Sequence, residues 1–358
     1  MTGTHTTGTE ALSWPSHLWP ASDRLAWEAA CRAGERLKRG GAAGHFRPVT
    51  QHDLAKRYGT FIAFLSRSGR LTGNARAGVH VSPDNIEAYI SDLKGRVSTV
   101  TVYGSIQKLR RMTQLIAPER ELGWLIEIER DLAFGMRPRS KWDRIVYTDV
   151  LLEAGLTLMA EAEAASHLTR LAQARMFRNG LMVALLACCP IRLKNFTSLE
   201  IGRSFVNDSG TWWIMLSASE TKEKRPDQRE VLDLLTQWIN RYIETYRPTL
   251  ARSYDASNAL WLSSENGWAM SAATVHEVIS DTTESTIGVR VSPHLFRTAA
   301  ATTVAVHAGD NPHLGSALLH HRHPAVTEAN YNRASCLRAA QDLASINRPH
   351  RRSQSWGS

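Results

Sequence analysis

Cysteine and long apolar runs are scarce in this 358-residue sequence. Its four cysteines, Cys31, Cys188, Cys189 and Cys336, do not form a series of spaced pairs, so we expect reduced core residues rather than disulfides or a zinc framework. No stretch approaches the roughly 18 uninterrupted apolar residues of a membrane-spanning helix. The polar N-terminal residues also lack the basic and apolar regions of a signal peptide. We therefore expect a soluble, cytoplasmic protein.

Acidic residues are too few to balance the basic ones. The sequence has 34 Asp and Glu against 43 Lys and Arg, which gives a formal net charge of +9. Such a balance favours a polyanionic partner, with nucleic acid ahead of an anionic membrane surface. With 43% hydrophobic and 22% charged residues the composition is that of a globular protein, which excludes disorder for most of the chain. At this length we expect two domains of roughly 100–200 residues each.

Helical periodicity dominates the first part of the chain. We interpret residues 1–47 as an N-terminal arm or accessory helix, with one amphipathic helix within 21–40 and tryptophans that pack rather than stack on bases. Ser82 as N-cap, Pro83 at the first helical position and Gly95 as a stop predict a helix between them. Thr50 and Asp53 resemble a capping box at the start of another. The predicted helices of a helical domain at 48–136 lie in residues 50–69, 82–95, 98–116 and 121–134.

A short basic, Pro-containing stretch, residues 137–144, is the predicted linker to a second domain at 145–347. Apolar patterns predict helices in 148–163 and 168–189, and Pro190 ends the second of them. The pattern then changes to predicted strands at 211–217 and 259–263, followed by a hairpin-turn signal at Asn266-Gly267. Helices resume from 271 to about 346, before a flexible tail at 348–358. The fold class predicted is mainly α with a small antiparallel β-sheet.

The residues most suggestive of chemistry come late in the chain. His294 and Arg297 are three residues apart, so on a helix they share a face, as a pair that grips one anion would need. Further on, His321 precedes Tyr331 by ten residues. This order resembles the tyrosine recombinases, also called phage integrases, whose catalytic domain shows HxxR, then Leu-Gly-His, then a nucleophilic Tyr nine or ten residues later.

Two further motifs extend the resemblance towards the N terminus. The family pattern has an Arg just after an apolar helix and a Leu seven residues on, which Arg192 and Leu199 match. It also has a Lys in a strand turn, which Lys222 matches directly after the predicted strand at 211–217; Lys224 lies two residues away on the same loop and is the alternative. The likeness covers roughly residues 48–347. It implies a helical core-binding (SAM-like) domain followed by an α+β tyrosine recombinase catalytic domain.

The resemblance implies a site-specific DNA recombinase of the integrase or transposase type, acting on a mobile genetic element. Arg192 and Arg297 would hold the non-bridging phosphate oxygens, while His294 and His321 add donors or move protons. Tyr331 would attack to form a 3′-phosphotyrosyl link, and Lys222 would protonate the departing 5′-oxygen. This chemistry requires no metal, cofactor or ATP. The histidines within 320–323 therefore do not lead us to expect zinc.

The sequence departs from the family pattern at two positions. Asn195 stands where the family usually has an acidic residue that orients the active-site Arg, and His320 replaces the Gly of Leu-Gly-His. Neither change removes a catalytic group. Two alternatives to a recombinase remain. One is a type IB topoisomerase-like activity, and the other is a DNA-binding protein on the same scaffold whose active site is weakened by Asn195 and His320.

The expected partner is double-stranded DNA. Between residues 47 and 144, seventeen Lys and Arg face ten Asp and Glu, so most of the net charge lies there. The basic residues of this segment are either solvated helix faces or phosphate contacts. The candidates for DNA binding are Lys108, Arg110, Arg111, Arg137, Arg139, Lys141 and Arg144.

The resemblance also implies an assembly. Both domains would clamp the duplex, four protomers would bring two recombination sites together, and a helix in 336–346 would dock on a neighbouring protomer. Companion recombinases or accessory DNA-bending proteins are further partners to expect, at the bacterial nucleoid and not at a membrane.

Overall fold

The computed structural model describes residues 11–35, 39–73, 76–138, 144–222, 224–251 and 257–307, without the side chains of 305–307. The chain divides into two compact units, residues 1–140 and 141–358. The structure is mainly helical with a small three-stranded antiparallel sheet, which confirms the predicted fold class. The finer boundaries at 47, 136 and 347 stay predictions. No helix of the described ranges is long and apolar enough to cross a membrane.

The first unit is built from helices around one apolar core. Local signals explain where several of them begin. The Ser82 side chain accepts a 3.4 Å hydrogen bond from the backbone N–H of Asn85, and the Ser98 side chain accepts one of 3.3 Å from Thr101. The helices are α1 (Ala21–Cys31), α2 (Pro48–Arg67), α3 (Pro83–Lys94), α4 (Thr99–Ile116) and α5 (Gly123–Phe134).

Two predicted helix boundaries in the first unit are wrong. Helix α2 begins at Pro48, because proline suits the first helical position and its missing N–H costs nothing there; Thr50 is already inside the first turn and caps nothing. Helix α1 ends at Cys31 instead of continuing towards residue 40. The chain turns back there, since the Gly41 N–H donates to the Arg32 carbonyl at 2.9 Å.

Helix α1 belongs to the core of the first unit. Trp19, just before it, and Trp27 are buried, and the Trp19 ring packs edge-on against Tyr58 with centroids 5.0 Å apart. The prediction that these tryptophans pack is therefore confirmed. The buried carboxylate of Asp23 accepts hydrogen bonds from the Tyr58 hydroxyl at 2.9 Å and the Gly78 N–H at 2.7 Å. These bonds fasten α1 to α2 and to the loop before α3.

The second unit is organised around two helices in close contact. Gly155 of α6 and Gly180 of α7 let the two backbones touch, because a Cβ at Gly155 would lie only 2.7 Å from the Gly180 carbonyl oxygen. Helix α7 is mostly buried from Phe177 onwards and ends at Cys188, as the Pro190 signal predicted. The helices are α6 (Thr148–Ala164), α7 (Arg170–Cys188), α8 (Leu193–Thr197), α9 (Thr236–Arg241), α10 (Arg247–Ala251), α11 (Ala272–Ile287) and α12 (Pro293–His307).

The sheet lies between α8 and α9 in the chain. Strands β1 (Phe205–Asp208), β2 (Thr211–Leu216) and β3 (Asp227–Glu230) pair antiparallel in that order, with Ile214 opposite both Phe205 and Arg229. Alternate β2 side chains face the core. The strand predicted at 211–217 is therefore confirmed, apart from its last residue.

The strand predicted at 259–263 is wrong. Ala259 and Leu262 form only isolated bridges, to Glu200 and Ala269. The stretch is apolar because Trp261 and its neighbours are fully buried, not because it pairs in a sheet. The turn signal nearby does mark a turn, since Gly267 has a left-handed φ of 78° and its N–H donates to the Ser263 carbonyl at 2.9 Å.

Candidate active site

The described residues include four of the predicted catalytic residues: Arg192, Lys222, His294 and Arg297. The other two, His321 and Tyr331, lie outside the described residues, as does His320. The geometry of the site therefore concerns the three cationic side chains and one histidine.

Arg192 lies where α7 gives way to α8. It is the N-cap residue of α8, with extended backbone and no capping bond from its side chain, which is half-buried. Contacts with Trp261 hold this short helix in place. The Trp261 indole N–H donates to the Phe196 carbonyl at 2.9 Å, and the centroids of the Trp261 and Phe196 rings are 5.0 Å apart. Asn195, on the same helix, is buried.

Arg297 is carried to the same place by α12. Its side chain is only 7% exposed, and its Nη1 donates a 2.5 Å hydrogen bond to the carbonyl of Pro190, two residues before Arg192. The structure therefore brings the Arg297 guanidinium to the chain segment that carries Arg192. We call this region, Pro190 with Arg192 and Arg297, the arginine corner.

His294 lies one turn before Arg297, in the first turn of α12, and is exposed. The residues between them, Leu295 and Phe296, are buried in the core and fix the rotation of the helix. His294 and Arg297 thus lie on the same helix, with the histidine exposed to solvent and the arginine buried.

Lys222 is exposed on the turn between β2 and β3. Two side chains hold this turn. Glu220 accepts hydrogen bonds from Arg203 at 2.8 Å and from the Ser217 N–H at 2.8 Å, which lower its pKa to about 2. The Thr221 hydroxyl donates to the Arg225 carbonyl at 2.6 Å. Lys224 is also exposed, with a left-handed φ of 54° that is uncommon for a residue with a side chain.

The sheet that carries this turn also reaches the arginine corner. The Cys189 thiol, one residue before Pro190, donates to the Glu230 carbonyl at the end of β3, at 3.8 Å. The β2–β3 hairpin and the arginine corner therefore meet at the end of α7.

One solved recombinase structure shares this architecture. The crystal structure of XerH site-specific recombinase bound to difH substrate, a pre-cleavage complex, is 14% identical and covers 79% of this chain and 77% of that chain, with a TM-score of 0.56. The chain has the tyrosine recombinase fold. The predicted resemblance is confirmed at the level of the fold.

Two further solved structures are similar to the chain with lower TM-scores. XerA recombinase is 18% identical over 84% of this chain and 94% of that one, with a TM-score of 0.40. XerH bound to palindromic difH substrate, a post-cleavage complex, is 11% identical over 93% and 99%, with a TM-score of 0.47. No protein-family model matches the sequence, and no curated protein does either.

One ion pair close to the arginine corner was not predicted from the sequence. Arg229 and Asp227 of β3 form a two-point ion pair at 2.9 and 3.0 Å, with about a tenth of each side chain exposed. Both lie close enough to the Cys189 thiol to influence its pKa. Arg229 and Asp227 are two residues apart, so their side chains lie on the same face of the strand. This spacing predicts a pair only once the strand itself is known.

The two thiols beside the corner are poor nucleophiles. Burial raises the pKa of Cys188 to about 11 and that of Cys189 to about 12. Because only a thiolate attacks or binds metal effectively, neither thiol is reactive near neutral pH. Within the described part of the chain Cys31, Cys188 and Cys189 are free, and no three His, Cys, Asp or Glu side chains cluster as metal ligands would. The histidines of 320–323 lie outside it.

The predicted DNA-binding cations that the structure describes fall into two groups, those in ion pairs and those that are exposed. Lys108 pairs with Asp53 of α2 at 2.6 Å, and Arg110 pairs with the buried Glu129 of α5 at 2.5 Å, so both hold α4 to neighbouring helices. Arg111 is exposed and lies 4.7 Å over the Phe46 ring. Arg137 and Arg144 are exposed as well, whereas Arg139 and Lys141 lie outside the described residues.

Proposed function

We propose that the protein is a site-specific DNA recombinase that cleaves and rejoins strands through a 3′-phosphotyrosyl intermediate, without metal or ATP. The observation that carries the proposal is the buried Arg297 guanidinium, anchored to the Pro190 carbonyl next to Arg192, in a chain with the tyrosine recombinase fold. Burying a cation in an apolar core is costly, and such a cost is typical of a functional site.

The arginine corner suits a phosphodiester. The phosphate gains charge as a nucleophile attacks, so cleavage without a metal needs fixed cations around it. The bond to Pro190 orients the guanidinium plane of Arg297. A guanidinium group, in Arg297 as in Arg192, has the planar shape and the donor spacing that suit two non-bridging phosphate oxygens. A half-buried site strengthens these contacts, because less water competes for them.

We assign the remaining steps to the predicted residues. The Tyr331 hydroxyl attacks the phosphorus, the bond to the 5′-oxygen breaks, and Lys222 supplies the proton that this oxygen takes up. His294, in the positively polarised first turn of α12, and His321 donate to the phosphate or carry the tyrosine proton. The phosphotyrosyl bond conserves the energy of the phosphodiester, so attack by a 5′-hydroxyl on it rejoins the strand.

We further propose double-stranded DNA as the partner, bound by a homotetramer at two recombination sites. The segment 336–346, which is predicted to be helical and lies outside the described residues, would dock between protomers. The exposed cations Arg111, Arg137 and Arg144 would contact phosphates, so affinity would fall steeply with salt. Companion recombinases or DNA-bending proteins would complete the assembly in the cytoplasm, at the nucleoid.

The proposal is tested by trapping the covalent intermediate. The protein is incubated with a pool of nicked duplexes whose arms are random in sequence, and DNA that stays attached after denaturation is amplified and sequenced. Wild type is expected to enrich one site, and Tyr331→Phe is expected to attach none. Tight binding of a site without attachment by wild type would overturn the proposal in favour of a DNA-binding protein. Relaxation of plasmids that lack the enriched site would instead indicate a type IB topoisomerase.

A further inference from the structure

The connection between α11 and α12 is anchored to α11 by one buried hydroxyl. Thr283 is fully buried on α11, and its Oγ1 accepts a 2.9 Å hydrogen bond from the backbone N–H of Val291. The same hydroxyl donates within its own helix to the Ser280 carbonyl at 3.0 Å. Val291 is fully buried too, so no water can replace this partner of its N–H.

Helix α12 begins two residues after this bond. Pro293 opens the helix, His294 follows in its first turn, and the Leu295 N–H donates to the Ser292 carbonyl at 2.8 Å. A shift or rotation of residue 291 therefore passes directly to His294 and Arg297, because no flexible segment lies between them.

The surface end of the same connection is held by charge. Arg290, next to Val291, forms ion pairs with three acidic side chains that recur along one face of α11, and these are Glu277, Asp281 and Glu284. Exposed pairs of this kind contribute little energy singly. They do restrict where residue 290 can lie, so the buried bond is the main anchor and the ion pairs support it.

Helix α12 is thus fixed at two points on either side of His294. Arg297 is bonded to Pro190 on one side, and Val291 is bonded to Thr283 on the other. We propose that Thr283 is a positioning residue for strand cleavage, which acts through Val291 to set the place of His294 and Arg297 at the phosphate. The inference rests on the proposed function, since it concerns the same site. Thr283 itself is buried in the core and does not touch DNA.

The experiment measures single-turnover cleavage of a nicked duplex carrying the enriched site, at saturating DNA, together with the Kd for that DNA. Thr283→Val keeps the shape of the side chain and removes its hydroxyl. We expect a cleavage rate lower by about tenfold or more, because small displacements of reacting groups are costly, with the Kd unchanged within about twofold. Thr283→Ser restores the hydroxyl, and its rate is expected to be close to that of wild type.

Thr282→Val is the matched control. Thr282 is the neighbouring buried threonine of α11, and its hydroxyl donates only to the Val278 carbonyl of its own helix, at 2.6 Å. Its loss removes one buried hydrogen bond without touching the connection, so cleavage should stay at the wild-type rate. Hydrogen exchange of the Val291 amide should accelerate in Thr283→Val and stay slow in Thr282→Val.

The outcomes separate the inference from the proposed function. If wild type forms no covalent adduct, the proposed function fails. If wild type cleaves and Thr283→Val cleaves equally fast, or if both valine variants slow cleavage alike, the positioning role is wrong. If Thr283→Val fails to fold, the comparison is made between Thr283→Ser and Thr283→Cys. These two variants differ only in the oxygen or sulfur atom, and sulfur is a weak hydrogen-bond acceptor. Slow cleavage by the cysteine variant alone then supports the role, and equal rates overturn it.

Discussion

Arg297 donates a 2.5 Å hydrogen bond to the carbonyl of Pro190, and this one contact joins helix α12 to the segment that carries Arg192. The two residues are 107 positions apart in the chain. Their contact assembles two cations at the end of α7, with the β2–β3 hairpin beside them. The contact thereby brings two motifs that are far apart in the sequence, those of Arg192 and Arg297, to one place.

The first prediction concerns the geometry of Arg297. Arg297→Lys keeps the charge but offers a single ammonium, which cannot hold the Pro190 carbonyl and two phosphate oxygens at once. We expect the rate of adduct formation to fall by about a hundredfold or more. Arg241→Lys is the control, because Arg241 is an exposed residue paired with Glu163 on the surface. A fast Arg297→Lys enzyme would show that the guanidinium shape is not needed.

The second prediction separates the two lysines of the β2–β3 turn. Lys222→Ala should slow cleavage by about a hundredfold, because the 5′-oxygen then leaves without a proton donor. A substrate with sulfur at that bridging position leaves readily without protonation and should restore the rate. Lys224→Gly should leave cleavage unchanged, since glycine accepts the left-handed φ of 54° at this position. Rescue by sulfur in a Lys224 variant instead would transfer the role to Lys224.

The third prediction divides the cations of α4. Arg111→Ala should weaken DNA binding uniformly across sequences and reduce the slope of log affinity against log salt by about one. Lys108→Ala should change that slope less, because Lys108 is paired with Asp53. Salt titrations of the Kd for both variants measure this difference. Equal slopes would mean that the ion pair opens to bind phosphate.

The fourth prediction follows from the buried carboxyl of α1. Burial raises the pKa of Asp23, although hydrogen bonds from Gly78 and Tyr58 and the nearby His80 oppose the rise. A carboxyl whose folded-state pKa exceeds its unfolded value, about 3.9, contributes stability below that value and loses it as pH rises through the folded pKa. Asp23→Asn cannot titrate.

Relative to Asp23→Asn, wild type should therefore become more stable as the pH is lowered from about 7 towards about 4. Urea unfolding of both proteins across this range, followed by circular dichroism, measures the difference in the free energy of unfolding. The opposite trend would mean that the folded-state pKa of Asp23 lies below its unfolded value.

Features that depend on a few neighbouring residues could be predicted from the sequence. Helix α3 is one, because Ser82 and Pro83 begin it through local hydrogen bonding and backbone geometry. Strands β1 and β3 could not be predicted, since each has only four residues, too few to show an alternating pattern, and pairs with β2. At 259–263 the apolar residues indicate a buried segment and not a strand paired in a sheet.

The candidate site shows the same division. The spacing of His294 and Arg297 on one helix was readable in the sequence, and so was the place of Arg192 after an apolar helix. The Pro190 contact of Arg297 and the Val291 contact of Thr283 arise only when separate elements pack together. For the same reason the carboxylate partners of Lys108 and Arg110, which come from α2 and α5, could not be anticipated.

The identity of the residue that becomes bonded to DNA tests the central claim most directly. The trapped adduct is digested with nuclease and trypsin, and the peptide that carries the nucleotide remnant is identified by mass spectrometry. The account predicts that the remnant lies on the tryptic peptide 323–333, at Tyr331. A remnant on any other residue, or an adduct of undiminished yield with Tyr331→Phe, would contradict it.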